Sequence, residues 1–477
     1  MKMKRIITLV STMILSGLLA GLAPHAQAQV SFTLFGEYQV PPGPVVAADF
    51  NGDGKVDLAV GNRGDYSLAI SLGSGAGSFG AFTSLTPVMP AADLTTADFN
   101  GDGAQDLTVA HYQVPGAVSI LLGTGTGSFG AATSLQVGDR PRSVAAADLN
   151  GDGLPDLASA NWSSDSVSVL LNKGDGSFAA ATSFPVGYYP GTVAICDLNG
   201  DGKSDLVVAT SAPGAVSVLL GTGTGSFGEA AYFAEGTSAT SLSIGELNGD
   251  GNLDAVIASY YPSGVTMLLG DGTGSFAVGA TIQVGQFPRF VRLSDFNGDG
   301  KLDLLVVTEF NGGKGSNAIH ILLGEGTGLF SPPITTYSAP DFGVFELYPA
   351  VADFNGDGKP DIAVSDSYFE NNYVSILLNN APSADFSANP SMGSPPLMVS
   401  FTDCSTGNVT SFSWDFGDGT TSTEQNPTHV YIGYGTYTVS LTIAGPGGSD
   451  TKTKIHFINV KEKKTLKSFP WMPLLLE

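Results

Sequence analysis

One pattern recurs seven times and constrains the fold more than any other feature. It begins at Asp49 (DFNGDGKVD), Asp98 (DFNGDGAQD), Asp148 (DLNGDGLPD), Asp197 (DLNGDGKSD), Glu246 (ELNGDGNLD), Asp295 (DFNGDGKLD) and Asp353 (DFNGDGKPD). The starts are 49, 50, 49, 49, 49 and 58 residues apart. A period near fifty marks propellers or solenoids, in which each repeat is one supersecondary unit. The third unit reads as four short strands. Ser143–Leu149 alternates apolar residues, and Asn150-Gly151-Asp152-Gly153 turns the chain into Asp156–Ala160. Ser166–Leu171 follows, then a turn at Lys173-Gly174-Asp175-Gly176 and a last strand at Ala180–Val186. Four antiparallel strands per repeat make a propeller blade. Glycine numbers 63 of 477 residues, and these repeated turns account for its excess.

The ends of the array favour a closed ring. The seventh unit stops after Val374–Leu378 and runs into Asn379-Asn380-Ala381-Pro382 without its fourth strand. Ser31–Val40 (SFTLFGEYQV) resembles Ser128–Val137 (SFGAATSLQV), so residues 31–40 are expected to supply that missing strand. This closure leaves no long unpaired edge. The expected fold is all-β: a seven-bladed propeller over 29–380, closed by an N-terminal strand.

The repeated loop D-x-N-x-D-G-x-x-D sets oxygen side chains at positions 1, 3, 5 and 9, with a backbone carbonyl available at position 7. That is the first part of an EF-hand-like loop, and hard oxygen donors suit Ca²⁺ rather than zinc. The expected ligand sets are Asp49, Asn51, Asp53, Lys55 and Asp57; Asp98, Asn100, Asp102, Ala104 and Asp106; and Asp148, Asn150, Asp152, Leu154 and Asp156. The fourth and fifth are Asp197, Asn199, Asp201, Lys203 and Asp205, then Glu246, Asn248, Asp250, Asn252 and Asp254. The last two are Asp295, Asn297, Asp299, Lys301 and Asp303, then Asp353, Asn355, Asp357, Lys359 and Asp361. Up to seven Ca²⁺, one per blade, are expected, with affinities of about 10⁻⁴–10⁻³ M as in extracellular modules. The loops are not EF-hands. Position 12 is Val60, Val109, Ser159, Val208, Ile257, Val306 or Val364, where an EF-hand needs a bidentate Glu. A hairpin turn without metal would explain the Asn-Gly-Asp-Gly core but not three mutually repelling acids.

The strand–loop–strand context, with turns at Ser78-Phe79-Gly80, Ser128-Phe129-Gly130 and Ser226-Phe227-Gly228, resembles the FG-GAP/VCBS repeats of integrin α propellers and secreted bacterial proteins. Glu246, in place of Asp at position 1, departs from the pattern.

Near Pro382 the pattern changes. Seven short strands are expected at Ala384–Ala388, Leu397–Asp403, Ser411–Phe416, Thr428–Tyr431, Gly435–Ile443, Gly448–Lys452 and Lys454–Val460, an Ig-like sandwich. Trp414-Asp415-Phe416-Gly417-Asp418-Gly419, Asn426–Tyr431 and Gly435–Val439 resemble a PKD domain, placed at 382–460. Trp414 and Tyr437 are expected in its core and His429 in a structural role. The resemblance implies a spacer or a weak protein or glycan binder. Residues 461–477 form a tail, basic and then apolar.

Residues 1–28 read as a signal peptide: Lys2, Lys4 and Arg5, an apolar run from Ile6, then Ala26-Gln27-Ala28 at the cleavage site. The mature chain is therefore expected outside the cell or on its surface, and no later run is long and apolar enough for a transmembrane helix. The formal charge is −24, from 44 acids against 20 Lys and Arg, which argues against nucleic acid as a partner. Of those acids 21 lie in the loops, beside four lysines; after residue 28, the rest of the chain carries 23 acids against 13 bases. The acidity is thus mainly the loops. Cys196 and Cys404 are expected as small buried side chains rather than a bridge.

Alternation of loops puts the acidic loops and Gly-rich turns on one face. The opposite face carries the second-to-third-strand loops, with Tyr66, Tyr112, Trp162, Tyr260, Tyr261, Phe310 and Tyr368. It also carries the blade-to-blade connections, with Arg140, Arg142, Tyr188, Tyr189, Phe287, Arg289 and Phe345. Tyr112, Trp162, Tyr188, Tyr189, Tyr260, Tyr261 and Arg289 are the candidate ligand contacts, for an extracellular glycan or a surface or matrix protein. A monomer is expected. Arg63-Gly64-Asp65 is a short tripeptide match in one of these loops. No catalytic constellation is evident; Glu309, Asp341, Glu346 and Asp366 form the one loose acid cluster outside the loops. A polysaccharide lyase or hydrolase and a purely structural surface component are the alternatives to a binding or adhesion protein.

Overall fold

The structure is a computed structural model describing residues 30–40, 43–62, 67–85, 90–309, 317–338, 347–366, 373–407, 409–445 and 448–462. The described residues contain strands and turns and no α-helix. Seven four-stranded antiparallel sheets precede the C-terminal module. The third is typical: Pro141–Ala147, Asp156–Asn161, Ser166–Leu170 and Thr182–Pro185 pair in sequence order. In that sheet the second and third strands are wholly buried, the first is half-buried and the fourth is largely exposed. The apolar residues therefore lie between sheets rather than on one face of a single layer.

The seventh sheet departs from sequence order. Leu347–Ala352, Asp361–Asp366 and Tyr373–Asn379 are completed by Phe32–Gln39, which pairs antiparallel with Tyr373–Asn379. Phe32 lies opposite Asn379 and Gln39 opposite Tyr373. The strand expected at 31–40 is found, and the last sheet has four strands like the others.

Consecutive sheets are joined by repeated contacts. Phe129 of the second sheet's Gly-rich turn meets Phe50 of the first acidic loop edge-on at 5.5 Å. Phe178 meets Phe99 at 5.4 Å in the same way. Gly127 N donates to Phe50 O, and Gly176 N to Phe99 O. The same pair of contacts joins the first sheet to the seventh: Phe79 meets Phe354 at 5.6 Å, and Gly77 N donates to Phe354 O at 2.9 Å. A buried cluster of Val40, Leu58, Val60, Phe354, Ala363 and Ile376 fills that junction. The Ser-Phe turn is thus the joint between sheets, which explains its recurrence.

The C-terminal module is a sandwich of a three-stranded and a five-stranded sheet. Phe386, Phe401, Trp414, Phe416, Tyr431, Val439 and Leu441 are buried between them. Trp414 is fully buried and its Nε1 donates to Glu424 O at 2.8 Å. Tyr437 is half-buried against Tyr431. His429 stacks on Phe416 at 4.3 Å and its Nε2 lies 2.7 Å from Asp418, a structural role. The two strands expected at 448–452 and 454–460 are one, Gly448–Val460. A register shift opposite Tyr437 and Val439, with His456 at φ 53°, lets it bend without ending.

Candidate binding face and acidic loops

Each acidic loop closes on itself. In the first, Asp49 Oδ1 accepts the amides of Asn51, Gly52 and Asp53, and Oδ2 accepts that of Gly54. Gly52 and Gly54, at φ 73° and 79°, take the left-handed conformation this tight wrap requires. Position 5 accepts the position 7 amide in all seven loops, from Lys55 N to Asp53 at 3.0 Å through Lys359 N to Asp357 at 2.9 Å. Glu246, with its longer side chain, accepts Asn248 N and Gly249 N.

Position 9 behaves differently from positions 1, 3 and 5. Asp57, Asp106, Asp156, Asp205, Asp254, Asp303 and Asp361 are all fully buried. One oxygen takes the position 2 amide and the other takes an amide at or just after the end of the third strand. Asp57 thus holds Phe50 N at 2.9 Å and Gly73 N at 2.7 Å. Asp361 holds Phe354 N at 2.9 Å and Asn379 N at 2.7 Å. This carboxylate stitches the loop to the third strand of its sheet. Burial pushes the Asp303 carboxyl up to about 7 and the Asp361 carboxyl up to about 6, with the other two acids of each loop adding to the shift.

The donor chemistry fits a hard divalent cation: three carboxylates and one carboxamide per loop, with burial, and after it the charges of Asp53 and Asp49, raising the Asp57 carboxyl. The chain supplies some countercharge itself. Lys55 lies 3.4 Å from Asp53 and Lys203 lies 3.2 Å from Asp201. These pairs are exposed and each is worth little. Among the described residues no three acid, imidazole or thiol groups converge on one point.

The opposite face assembles the aromatic residues from neighbouring sheets. Tyr112 and Trp162 have ring centroids 6.2 Å apart, and Trp162 and Tyr189 4.8 Å apart. The Arg140 guanidinium lies over the Tyr112 ring at 5.6 Å. These four residues form a strip across three sheets. A second stack, Tyr260 on Phe287 at 4.6 Å, joins the fifth and sixth sheets. Arg140, Tyr189 and Phe287 each precede a proline and hold φ between 46° and 55°. That conformation is costly for a side-chain-bearing residue and here aims each at the ring of the preceding sheet. Tyr188, Tyr189 and Tyr261 are 58%, 50% and 78% exposed.

Tyr188 and Tyr261 border the strip and the stack without an observed ring contact to them. Arg289 lies 3.7 Å from Glu309 and over the Phe290 ring at 5.8 Å. Tyr66, Phe310, Phe345, Tyr368, Arg63-Gly64-Asp65, Asp341 and Glu346 lie outside the described residues. Cys196 is half-buried and Cys404 is exposed, so the second does not take its expected place in a core; both are free thiols.

Six overlapping windows match the model for the FG-GAP-like repeat, at residues 49–109, 98–159, 148–208, 197–257, 247–306 and 295–364. Nearly every window starts on one acidic loop and ends on the strand after the next, so six windows use all seven loops. The chain belongs to the FG-GAP-like repeat family. Its C-terminal module is a PKD domain, matched over residues 379–460. Collagenase ColA of Bacillus cereus is 48% identical over 63 residues, 13% of this chain and 7% of that protein. A microbial collagenase of Vibrio alginolyticus is 38% identical over 96 residues, 19% of this chain and 12% of that protein. The chain thus spans about a tenth of the length of these relatives. Among solved structures, BBS1N in complex with ARL6DN is similar over 73% of this chain and 96% of that one, at TM-score 0.51 and 10% identity, a likeness of fold alone. The PKD1 domain of Vibrio anguillarum Epp is 34% identical, covering 18% of this chain and 100% of that one, at TM-score 0.16.

Proposed function

We propose that this FG-GAP-repeat protein is a secreted, calcium-stabilised binding or adhesion protein. In this reading the seven sheets are the blades of a closed propeller, residues 1–28 are a cleaved signal peptide, and the PKD domain is a spacer or accessory binder. The joint between the first and seventh sheets, made of the same phenylalanine pair and glycine amide as the joints of the first with the second sheet and the second with the third, supports closure. The partner is a glycan or a surface or matrix protein. The observation that carries this is the strip Arg140, Tyr112, Trp162 and Tyr189, because aromatic faces fixed on loops stack on sugar rings and serve as protein hot spots. PKD-like stretches in collagenases fit a module used on extracellular surfaces.

Calcium would be held by the side chains of positions 1, 3 and 5 and the position 7 carbonyl, with the buried position 9 carboxylate beside them. The ion would supply positive charge that offsets the repulsion among the three acids of each loop.

A glycan and matrix-protein binding screen at millimolar calcium tests the reading. The native chain should bind a defined class without converting it. Trp162→Ala should weaken that binding about tenfold, which is about 1.4 kcal/mol, while leaving the melting temperature within a few degrees. Turnover of a polysaccharide, or binding unchanged in Trp162→Ala, would contradict it.

A further inference from the structure

The first strands of all seven sheets line a central cavity of about 400 Å³. That is within the size range of small-molecule sites, roughly 300–1,000 Å³. The lining is concentrated toward the starts of those strands, from Val45 in Val45–Ala48 to Tyr348 in Leu347–Ala352. The cavity therefore lies toward the end of the ring that carries the sheet-to-sheet connections and the aromatic strip.

Its charge is unlike that of the rest of the molecule. The chain is acidic and holds only six arginines, yet Arg142, Arg289 and Arg292 all line this one cavity. Asp93 is the acid among the lining residues, and Glu309 stands behind Arg289 at 3.7 Å. Asp93 belongs to the second sheet and Arg292 to the sixth, and the two interact across the cavity. Both are held in place. Asp93 accepts Val144 N and Leu94 N, each at 3.0 Å, and Arg292 Nη1 donates to Val291 O at 3.0 Å. Each is half-buried and keeps accessible surface.

Arg292 also breaks the repeat. Three residues before the acidic loop, the other six units carry Val46, Thr95, Ala145, Ala194, Ser243 and Ala350. Closure of the ring needs only a small or apolar side chain there. A guanidinium facing the cavity is costly to bury and suits recognition of a planar anion.

We infer that the central cavity binds a small polyhydroxylated carboxylate, such as a free or terminal sugar acid, at a site distinct from the aromatic strip. The Arg142 and Arg292 guanidiniums receive the carboxylate, and Asp93 and the Thr240 and Ser243 hydroxyls receive ring hydroxyls. The Phe290 and Tyr348 rings, with centroids 5.3 Å apart, supply an apolar wall. Charge-assisted contact with two arginines excludes the neutral sugar of the same shape.

Calorimetric titration of the full chain at millimolar calcium tests this, with galacturonate, glucuronate and galactose as probes. One of the two uronates should bind saturably and at least tenfold more tightly than galactose. Arg292→Gln should weaken the uronate at least tenfold. Arg142→Gln, at a half-exposed position, should do the same with an unchanged melting temperature and keeps the test valid if the first variant does not fold. Trp162→Ala should leave uronate binding unchanged, which separates this site from the strip. Absence of saturable uronate binding, equal binding of galactose, or full uronate affinity in Arg142→Gln would overturn the inference.

Discussion

At the residue scale, the position 9 aspartates show what a motif hides. A carboxylate that holds a metal and one that clamps two amides look identical in sequence. The three acids of each loop were legible from their spacing. The division of labour between an exposed rim and a buried clamp was not, because it depends on an amide sixteen to twenty-one residues away, such as Gly73 for Asp57 or Gly324 for Asp303. The clamp has a pH signature. The Asp303 and Asp361 carboxyls are raised above their unfolded value, so the folded state holds their protons more tightly. Their contribution is complete below about pH 4 and is lost as pH rises through 6 to 7. In chelator the melting temperature should fall between pH 5 and pH 8; a rise across that interval would contradict the burial of these groups. The cysteines give a second residue-scale test. Burial pushes the Cys196 thiol up to about 12, whereas Cys404 is exposed. A thiol reagent at pH 8 should label one cysteine rapidly in the native chain and two in denaturant, and Cys404→Ser should abolish the rapid phase. Rapid labelling of both would contradict the structure.

At the scale of elements, the repeat period made the four strands of a unit readable and the truncated seventh unit pointed to its partner. The pairing of Phe32–Gln39 with Tyr373–Asn379 follows from that sequence similarity alone. Removing residues 30–40 leaves Tyr373–Asn379 as an uncovered edge with its backbone donors and acceptors exposed. The truncated chain should melt lower and self-associate in size-exclusion chromatography; a monomer of native stability would contradict the role of this strand. In the PKD domain the long strand Gly448–Val460 was not legible, because a bulge is a backbone event with no residue signature. Trp414 was legible as core from its motif. Trp414→Ala should cost about 3–5 kcal/mol of that domain's stability in urea unfolding, while a loss under 1 kcal/mol would contradict its burial.

At the scale of the whole molecule, the sequence located acidity in the loops and aromatics on the other face, and it missed the centre. The signal was present, since Arg292 stands where the other units carry small or apolar residues. It became meaningful only when seven first strands were seen to surround one cavity. At the same scale stands the proposal that the seven acidic loops are cation sites on which the fold depends. Native mass spectrometry of the full chain, paired with thermal melts in calcium and in chelator, measures both the number of ions and their effect. Up to seven Ca²⁺ should be bound, and the melting temperature should be higher in calcium than in chelator. No bound ions and an unchanged melting temperature would contradict the proposal, leaving the loops as turns closed by their own amides.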